Sequence, residues 1–477
     1  MWTFLSERMK MFADATLFDK DKKYSYLKFM ELAEKNGERL KVKLPPHSKC
    51  AVICDSGLNA ALALLSCWYT DLVPIPISKH YGERHCAAIF KLTEPDCIIA
   101  DSSFDKSNSL IYRIDIGDFT GLASLADTEG ELQDIALIMC TSGTTGKPKG
   151  AMITDRGLRA NVLAIADYFA LTQEDTILIV RPLYHCAVLT GEFLISLYLG
   201  LNICFCDEKY NPSNIIELCR NSNISVLCGT PTLFRQLSLL VKRTKESLHL
   251  CAIALSGECL TKEIASQIRE AFPHSLIYHV YGLTEASPRV TYLPPLEFDE
   301  KPESVGLPLK NTQIKIVDPA SLSDLPPSTN GLVLVNSPSL MKGYYRNAER
   351  TSHILLNGWL NTGDIGVIDD DGYLKILSRA DDMIIKSGMN IYPREIENAI
   401  SILPEVSGVV AYGIPAQAGQ EIAVNVVLAK GYENTTIKQL LISFASVLPT
   451  YQMPAHINIV DVLERNSSGK IVRPRVK

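Results

Sequence analysis

The chain has 477 residues, of which 47% are hydrophobic and 21% charged, and its formal net charge is −6. This balance predicts a folded protein with room for more than one domain, and the acidic excess argues against a nucleic-acid-binding surface. Its thirteen cysteines include no CxxC pair and no spacing that suits zinc, and their odd number favours free thiols in a reducing cytoplasm.

The N-terminal stretch is neither a signal peptide nor a membrane anchor, because charged side chains interrupt its apolar residues (Glu7, Arg8, Lys10, Asp14). The most apolar stretch, residues 60–77, contains Asp71 and two prolines. A membrane span needs about 20 uninterrupted apolar residues. The stretch therefore predicts a buried helix followed by a strand.

From about Ser48 to residue 380, short β-rich runs alternate with segments of helical apolar periodicity, which predicts parallel sheets covered by helices. After Pro302 the runs become short strands with Asp-Gly and Asn-Gly turns, typical of a small antiparallel subdomain or distorted barrel. We therefore predict an α/β fold with a large domain over 1–380, including a β-rich part at about 302–380. A small α+β domain follows over 381–477.

The segment TSGTTGKPKG (141–150) directly follows the apolar run IALIMC. A strand that leads into a loop of glycines and hydroxyl side chains predicts a phosphate site. The segment does not match the GxxxxGK[ST] phosphate loop, because Gly143 and Gly146 stand too close together and Pro148 follows Lys147. The loop alone leaves the type of phosphate site open.

Six further stretches complete a pattern with this loop: RPLYH (181–185), SGECL (256–260), YGLTEA (281–286), NGWLNTGD (357–364), SRADDMIIKSGMNIYPREIE (378–397) and NSSGK (466–470). Alone, each has an ordinary structural interpretation as a turn, cap or tail. Together and in this order they resemble the adenylate-forming superfamily, which includes acyl- and aryl-CoA synthetases, peptide-synthetase adenylation domains and firefly luciferase. The resemblance covers nearly the whole chain after about residue 20.

The resemblance implies an enzyme that forms acyl-AMP from a carboxylic acid and ATP and releases pyrophosphate. The loop would then hold the β- and γ-phosphates through hydroxyls, backbone N–H groups and lysines (Thr141, Ser142, Gly143, Thr144, Thr145, Gly146, Lys147, Lys149). Glu285 would be the Mg²⁺ ligand, since Mg²⁺ prefers a carboxylate together with phosphate oxygens and waters. Thr284 would contact the α-phosphate.

The remaining nucleotide contacts also follow from the resemblance. Asp364 would accept hydrogen bonds from both ribose hydroxyls, and Arg379 would contact the same ribose. Tyr281 and the backbone of Ser256, Gly257 and Glu258 would border the adenine and the acyl pocket. Lys470 would bridge the attacking carboxylate and the α-phosphate.

A second half-reaction is implied, in which the small domain rotates about Asp381. Gly388 would then line a tunnel for a thiol, either the phosphopantetheine arm of coenzyme A or that of a carrier protein. The product would be a thioester with release of AMP. The sequence departs from the family pattern at Ser378, Glu464 and Asn466, and the last two changes leave the pose of Lys470 open.

The segment RPLYHCAVLTGEF bears on the acid that is activated. Adenylation domains for α-amino acids usually carry an aspartate here, whereas this chain has no acid before Glu192. A buried ammonium without a partner is costly, which disfavours α-amino acids. The PLYH form is similar to that of acyl- and aryl-CoA ligases, in which the histidine, here His185, lies beside the carboxylate and gates its tunnel.

Three interpretations stay open. The first is a fatty or aryl carboxylate–CoA ligase, the second an enzyme that loads a carrier protein, and the third a binding protein without turnover. A thiol nucleophile at His185–Cys186 is disfavoured, because residues adjacent in the chain rarely face each other.

Overall fold

The computed structural model of the protein describes residues 1–54, 56–78, 80–81, 83–101, 111–115, 118–120, 132–142, 148–206, 211–245, 248–386, 389–416, 419–464 and 471–474. Within these residues the α-helices are α1 (Trp2–Met11), α2 (Tyr26–Lys41), α3 (Gly57–Tyr69), α4 (Glu83–Thr93), α5 (Asp155–Tyr168), α6 (Cys186–Val188), α7 (Ile195–Leu199), α8 (Pro212–Asn221), α9 (Pro231–Thr244), α10 (Lys262–Ala271), α11 (Ala348–Ile354), α12 (Pro393–Ser401) and α13 (Ile437–Val447). A π-helical turn spans Leu189–Leu194, and 3₁₀ turns span Thr284–Ala286, Pro295–Glu297, Ala380–Asp382 and Thr450–Gln452.

The strands of the first half are β1 (Thr16–Phe18), β2 (Lys23–Ser25), β3 (Lys49–Ile53), β4 (Val73–Pro76), β5 (Cys97–Ala100), β6 (Ile111–Asp115), β7 (Asp118–Thr120), β8 (Ile135–Ser142), β9 (Pro148–Thr154), β10 (Thr176–Ile179), β11 (Asn202–Phe205), β12 (Val226–Gly229) and β13 (Ala252–Ser256). Those of the second half are β14 (Leu276–Gly282), β15 (Arg289–Leu293), β16 (Leu307–Pro308), β17 (Gln313–Val317), β18 (Gly331–Asn336), β19 (Gly343–Tyr344), β20 (Leu355–Leu356), β21 (Trp359–Ile368), β22 (Leu374–Arg379), β23 (Ile384–Lys386), β24 (Met389–Ile391), β25 (Val406–Ala416), β26 (Gly419–Leu428) and β27 (His456–Ile459).

The chain divides into two compact units, the first comprising Met1–Ile314 and Val335–Leu360 and the second Lys315–Leu334 and Asn361–Lys477. The boundary that we predicted at residues 380 and 381 stays a prediction.

The largest sheet of the first unit has nine strands in the order β16-β15-β14-β13-β12-β10-β11-β1-β2. Its six strands from β14 to β1 run parallel, and β2, β15 and β16 are antiparallel to their neighbours. The carboxyl ends of β10, β12, β13 and β14 therefore lie at one edge, the place where open α/β sheets bind ligands. A second, mainly parallel sheet has the order β4-β3-β5-β6-β7, and a third, antiparallel sheet is β19-β9-β8.

The apolar stretch 60–77 illustrates how sequence sets these elements. It forms most of α3, whose N-cap Ser56 accepts a hydrogen bond from the Asn59 backbone, and then the wholly buried strand β4. Both prolines of β4 lie at the edge of their sheet, where a strand can lack donors. The predicted helix and strand are confirmed.

The second unit contains two β-rich parts. In the first, β18 lies between β17 and β21, and β22 pairs antiparallel with β21. The C-terminal part is an α+β fold in which β24-β23-β26-β25 form a sheet, with β27 parallel to β26. Helices α12 and α13 contribute Ile396, Ile400, Leu440 and Phe444 to its apolar core. Among the helices that the structure describes, none combines the length and the apolarity that crossing a bilayer requires.

Candidate active site

The described residues of the predicted phosphate loop lie on two paired antiparallel strands, β8 and β9, which we call the phosphate hairpin. Strands β8 and β9 pair so that Thr141 lies opposite Lys149 and Ser142 opposite Pro148. The intervening residues of the prediction, Gly143, Thr144, Thr145, Gly146 and Lys147, lie outside the described residues, as does the side chain of Ser142. Because β9 follows the loop, Lys149 sits on a strand and Pro148 begins that strand, which explains why Pro148 is tolerated here.

Lys149 is linked to Glu285 through one aromatic side chain. The Lys149 ammonium lies 5.4 Å from the centre of the Tyr344 ring, and the Tyr344 hydroxyl donates to Glu285 Oε1 at 2.6 Å. Tyr344 reaches this position because β19 pairs with β9 and places it opposite Ala151. Two residues of separate motifs, 136 positions apart in the sequence, thereby share one neighbourhood.

Glu285 lies in the 3₁₀ turn that follows β14, together with Thr284. The turn is fixed by the Met341 backbone N–H, which donates to the Glu285 carbonyl at 2.8 Å, and by Ser287 Oγ, which donates to the Ser339 carbonyl at 2.7 Å. In the described part of the chain no three His, Cys, Asp or Glu side chains cluster as a metal cage. A single carboxylate fits Mg²⁺, which is usually held by one or two carboxylates plus phosphate oxygens and waters.

The end of β13 carries the predicted adenine and acyl-pocket residues. Ser256 is its last residue, and Gly257 follows with φ +87°, a left-handed conformation that favours glycine. The Glu258 carboxylate accepts from the backbone N–H and the hydroxyl of Thr232, at 3.1 and 2.6 Å, near the N-terminus of α9. The Glu258 side chain thus helps to cap helix α9. The prediction that the backbone of Glu258 borders the adenine and the acyl pocket does not involve this side chain. Tyr281 is the half-buried residue before the end of β14.

His185 is half-buried and precedes the short helix α6, with its ring 4.4 Å from that of Tyr184. Its neighbour Cys186 is buried, and burial raises the pKa of this thiol to about 12, with a further contribution from the Glu285 charge. A thiol with this pKa is protonated near neutral pH, which removes the thiol-nucleophile interpretation. Cys186, which follows the PLYH segment, therefore lies within electrostatic range of Glu285.

Three charged side chains meet at the same sheet edge. Arg181 follows β10, Glu192 lies in the π-helical turn, and Arg289 begins β15. Arg181 Nη2 donates to Glu192 Oε1 at 2.7 Å and approaches Ser256 Oγ at 3.4 Å. Glu192 is fully buried, and burial raises its pKa, an effect that Arg181 and then Arg289 oppose. We refer to Arg181, Glu192 and Arg289 as the charged triad.

In the second unit, Asp364 and Arg379 face each other across β21 and β22. Arg379 Nη1 donates to Asp364 Oδ1 at 2.7 Å and to the Thr362 carbonyl at 3.0 Å. Gly363, which stands between Thr362 and Asp364 in the chain, has φ +68°, and a Cβ on this residue would lie 2.9 Å from Arg379 Nη2. Glycine at 363 therefore permits the arginine to reach the carboxylate.

The predicted hinge residue Asp381 is exposed and lies in the 3₁₀ turn after β22. The next residue, Asp382, accepts from Arg473 Nη1 at 2.7 Å. Arg473 also donates to Glu397 Oε1 at 2.6 Å and to the Ala411 carbonyl at 2.7 Å. Burial disfavours its charge, but Glu397 and Asp382 outweigh that effect and raise the pKa of Arg473. The predicted residues Lys470 and Gly388 lie outside the described residues.

Three residues of this region were missed by sequence reasoning: Tyr344, Arg181 and Arg289. Tyr344 stands in GYYRN, which carries no chemical signature, and its link to Glu285 depends on a strand pairing. Arg289 lies three residues after the end of the family motif YGLTEA, and the available signal was a charged residue at the start of the apolar strand RVTYL.

Comparison with known proteins identifies the family of this chain. The model of the AMP-binding enzyme family matches residues 5–345, and that of the AMP-binding enzyme C-terminal domain matches residues 395–470. The chain therefore belongs to the AMP-binding enzymes, and the resemblance inferred from the motifs is confirmed.

Feruloyl-CoA synthase from an Amycolatopsis species is 30% identical over 350 residues, which are 72% of this chain and 70% of that protein. A long-chain-fatty-acid–CoA ligase of Escherichia coli O6:H1 is 33% identical over 351 residues, 72% of this chain and 62% of the ligase. ATP-bound MatB from Rhodopseudomonas palustris superposes with a TM-score of 0.88 at 26% identity, covering 99% of this chain and 97% of MatB.

The o-succinylbenzoate CoA synthetase MenE from Bacillus subtilis, in complex with the acyl-adenylate OSB-AMP, gives a TM-score of 0.87 at 24% identity, with 99% and 97% of the chains covered. The predicted α/β fold with a C-terminal α+β domain is thereby confirmed.

Proposed function

We propose that this protein is an AMP-forming carboxylate–CoA ligase, which activates a carboxylic acid with ATP and transfers the acyl group to coenzyme A. The observation that carries the proposal is the connected set Lys149, Tyr344 and Glu285, which joins the phosphate hairpin to the YGLTE turn. The CoA ligases and synthetases among its relatives support the same reaction class.

In the first half-reaction the acid attacks the α-phosphorus of ATP and pyrophosphate leaves. Thr141 and Lys149 lie on either side of residues 143–147, which would bind the departing phosphates, and Thr284 would donate to the α-phosphate. Glu285 would hold Mg²⁺, which when bound supplies positive charge at the phosphate oxygens. A solved complex of MenE from Bacillus subtilis with ATP and a magnesium ion supports ATP and Mg²⁺ as cofactors.

Asp364 would accept from the ribose hydroxyls, oriented by its bond to Arg379. Lys470 would neutralise charge between the carboxylate and the α-phosphate. His185 would lie at the acid, and Tyr281 and the 256–258 backbone would border the adenine and acyl pocket. These roles rest on the family motifs together with the contacts described above.

In the second half-reaction a thiol attacks the acyl carbon and AMP leaves. We assign coenzyme A as the thiol because the named relatives are CoA ligases and synthetases. A holo-carrier protein is the alternative acceptor. The hinge at Asp381, the thiol tunnel at Gly388, the domain boundary at residues 380 and 381, and a cytoplasmic location belong to the same proposal.

The acid would be of the aryl or fatty type rather than an α-amino acid. The acidic side chain that could have paired with a substrate ammonium, Glu192, already binds Arg181 at 2.7 Å. The positive charges of Arg181 and Arg289 both act on this buried carboxylate, and they oppose the binding of a further cation beside it. An α-amino analogue should therefore be used at least about tenfold less well than its neutral counterpart.

The test is pyrophosphate exchange over a panel of aryl, fatty and α-amino acids with ATP and Mg²⁺, followed by thioester assays with CoA and with holo-carrier proteins. We expect exchange without any thiol, and thioester formation with CoA. Release of ADP without AMP would refute adenylation. Binding of ATP with no exchange for any acid would favour the binding protein without turnover, and thioester formation with a carrier protein alone would replace CoA as the acceptor.

A further inference from the structure

The charged triad has donors that the protein leaves unsatisfied. Arg289 is only 3% exposed, and the Nε and Nη1 atoms of its side chain have no hydrogen-bond partner in the protein. Arg181 Nε and Glu192 Oε2 also lack partners. Two guanidinium groups with one carboxylate leave one positive charge in excess. Buried groups of this kind are normally paired, because an unpaired buried charge or donor is costly.

The triad adjoins the part of the site predicted for the acid. Arg289 on β15 lies opposite Gly282 on β14, and Gly282 is the residue that follows Tyr281. Arg181 Nη2 approaches Ser256 Oγ at 3.4 Å. Burial raises the pKa of the Cys228 thiol on β12, Glu192 raises it further, and Arg289 and Arg181 lower it, so all three charges of the triad act on this thiol.

The Arg289 guanidinium is held by its packing. A Cβ added at Gly191 in the π-helical turn would lie 2.6 Å from Arg289 Nη2 and 2.8 Å from Nε, so the group lies directly against glycine backbone. The Arg289 backbone N–H donates to Asn161 Oδ1 at 3.2 Å, and Asn161 Nδ2 donates to the Arg289 carbonyl at 2.9 Å. Burial raises the pKa of the Tyr168 hydroxyl, and the charge of Arg289 and a hydrogen bond with it oppose that rise, so this hydroxyl lies beside the guanidinium and leaves Nε and Nη1 unpaired. An arginine fixed in this way is preorganised for an acceptor.

A closed structural ion pair is the competing explanation. Glu192 binds Arg181 directly, so a structural ion pair explains Arg181. It does not explain Arg289, because Nε and Nη1 of Arg289 receive no hydrogen-bond partner from Glu192. An incoming carboxylate would offer two acceptor oxygens in the fork geometry that a guanidinium prefers, and would cancel the excess charge.

We propose that the acid activated by this enzyme carries a second anionic group, a carboxylate, at the far end of its tail, and that Arg289 binds it. This inference rests on the proposed function and specifies its substrate class. The reacting carboxylate would occupy the His185 side of the pocket, while the tail carboxylate would complete the charged triad.

The test compares matched acids in pyrophosphate exchange. Each aliphatic or aromatic dicarboxylic acid is paired with its mono-methyl ester, which keeps the length and removes the tail charge, and with the corresponding ω-hydroxy acid. For wild-type protein we expect kcat/KM to favour the free diacid over the ester by about tenfold to a hundredfold.

Arg289→Met should abolish this preference while exchange with the ester is kept, and Arg289→Lys should restore part of it. Gly191→Ala displaces the guanidinium without altering its charge and should also reduce the preference. Arg235→Met, at an exposed arginine of α9, is the matched control and should behave as wild type. Retained exchange with the ester shows that each variant is folded.

Equal use of diacid and ester by wild-type protein, or a preference for the hydroxy acid, overturns the inference while leaving the ligase activity intact. The inference also fails if Arg289→Met keeps the wild-type preference. Absence of exchange with every acid, diacids included, is a failure of the proposed function itself. If Arg289→Met does not fold, the wild-type comparison and Arg289→Lys still decide the question.

Discussion

Tyr344 is the residue that joins the phosphate hairpin to Glu285. Its hydroxyl donates to a carboxylate that would bind Mg²⁺, and its ring faces Lys149. Partners that orient a metal-binding side chain are commonly worth tenfold to a hundredfold in metal affinity. We therefore expect Tyr344→Phe to raise the Mg²⁺ concentration needed for half-maximal pyrophosphate exchange by about tenfold.

Tyr345→Phe is the matched control, since its ring is equally buried but its hydroxyl accepts from Lys49, at 3.3 Å. This variant should keep the Mg²⁺ dependence of the wild type. An unchanged Mg²⁺ dependence in Tyr344→Phe would remove Tyr344 from the site.

Asp364 offers a residue-scale test of the proposed ribose contact. Asp364→Asn keeps the shape of the side chain but removes its charge and one acceptor oxygen. We expect the variant to raise the KM for ATP by about tenfold to a hundredfold, in line with the loss of a charged hydrogen bond of about 1.5–3 kcal/mol.

A comparison of ATP with 2′-deoxy-ATP and 3′-deoxy-ATP distinguishes the loss of a contact with the ribose hydroxyls from a general effect of the substitution on the enzyme. Wild-type protein should use ATP better than the deoxy analogues, because only ATP offers both ribose hydroxyls to the carboxylate. Asp364→Asn has lost that carboxylate and should therefore discriminate much less between ATP and the analogues. Equal discrimination in both proteins would show that Asp364 acts elsewhere.

At the scale of elements, residues 471–474 form an anchored tail. Arg473 binds Asp382, Glu397 and the Ala411 carbonyl, and the Val472 N–H donates to the Glu464 carbonyl at 2.8 Å. Lys470 precedes this anchor by three residues. Chain geometry then limits how far the lysine can move from the anchor, to about 10 Å between Cα atoms.

Arg473→Met should therefore weaken both stability and adenylation. Removing one partner of a largely buried ion pair typically costs about 3–5 kcal/mol, so we expect a lower unfolding temperature together with slower pyrophosphate exchange. Glu397→Gln and the double variant complete a cycle, in which the combined loss should be smaller than the sum of the single losses. Strict additivity would mean that the two side chains do not act as a pair.

The elements themselves were largely predictable. Strands such as β3, β5, β10 and β12 are short apolar runs bounded by polar residues, and the helix and strand of 60–77 followed from Asp71 and the two prolines. Motif residues such as Lys149 and Glu285 could be proposed as site residues because they stand in recognisable local patterns, and the structure brings these two close to one aromatic ring. The part played by Tyr344 and by the charged triad could not be predicted, because it arises from the pairing of β19 with β9 and from a π-helical turn. Neither leaves a periodic signal in the sequence.

At the scale of the whole molecule, the proposed mechanism needs two positions of the small domain. Lys470→Ala removes a cationic donor needed only during adenylation, which should cost about 3–4 kcal/mol, or roughly 10²–10³ in rate. Thioester formation from supplied acyl-AMP should be kept. Asp381→Pro should have the opposite effect, because proline fixes φ near −65° and obstructs rotation about this residue.

Single-turnover kinetics of both half-reactions, for both variants, provides the measurement. Adenylation at the wild-type rate in Lys470→Ala would contradict the assignment of that lysine. Equal loss of both half-reactions in both variants would contradict the two-position mechanism as a whole.

The distribution of cysteines gives the molecule a practical property. All thirteen belong to the first unit, and the exposed residue among them, Cys251, has a half-buried thiol whose pKa is raised to about 11 by this partial burial and by Asp175. An ordinary exposed thiol has a pKa of about 8.5, so at neutral pH its reactive thiolate fraction is roughly 300-fold larger than that of Cys251.

A cysteine introduced at Ile442, which is 67% exposed on α13, should therefore accept a fluorescent maleimide well before Cys251 does. Labelling rates of wild-type protein between pH 7 and 10 would set the background, and rapid modification of Cys251 at pH 7 would contradict the expectation. A dye placed in this way would report movements of the second unit in real time, without removal of a native cysteine.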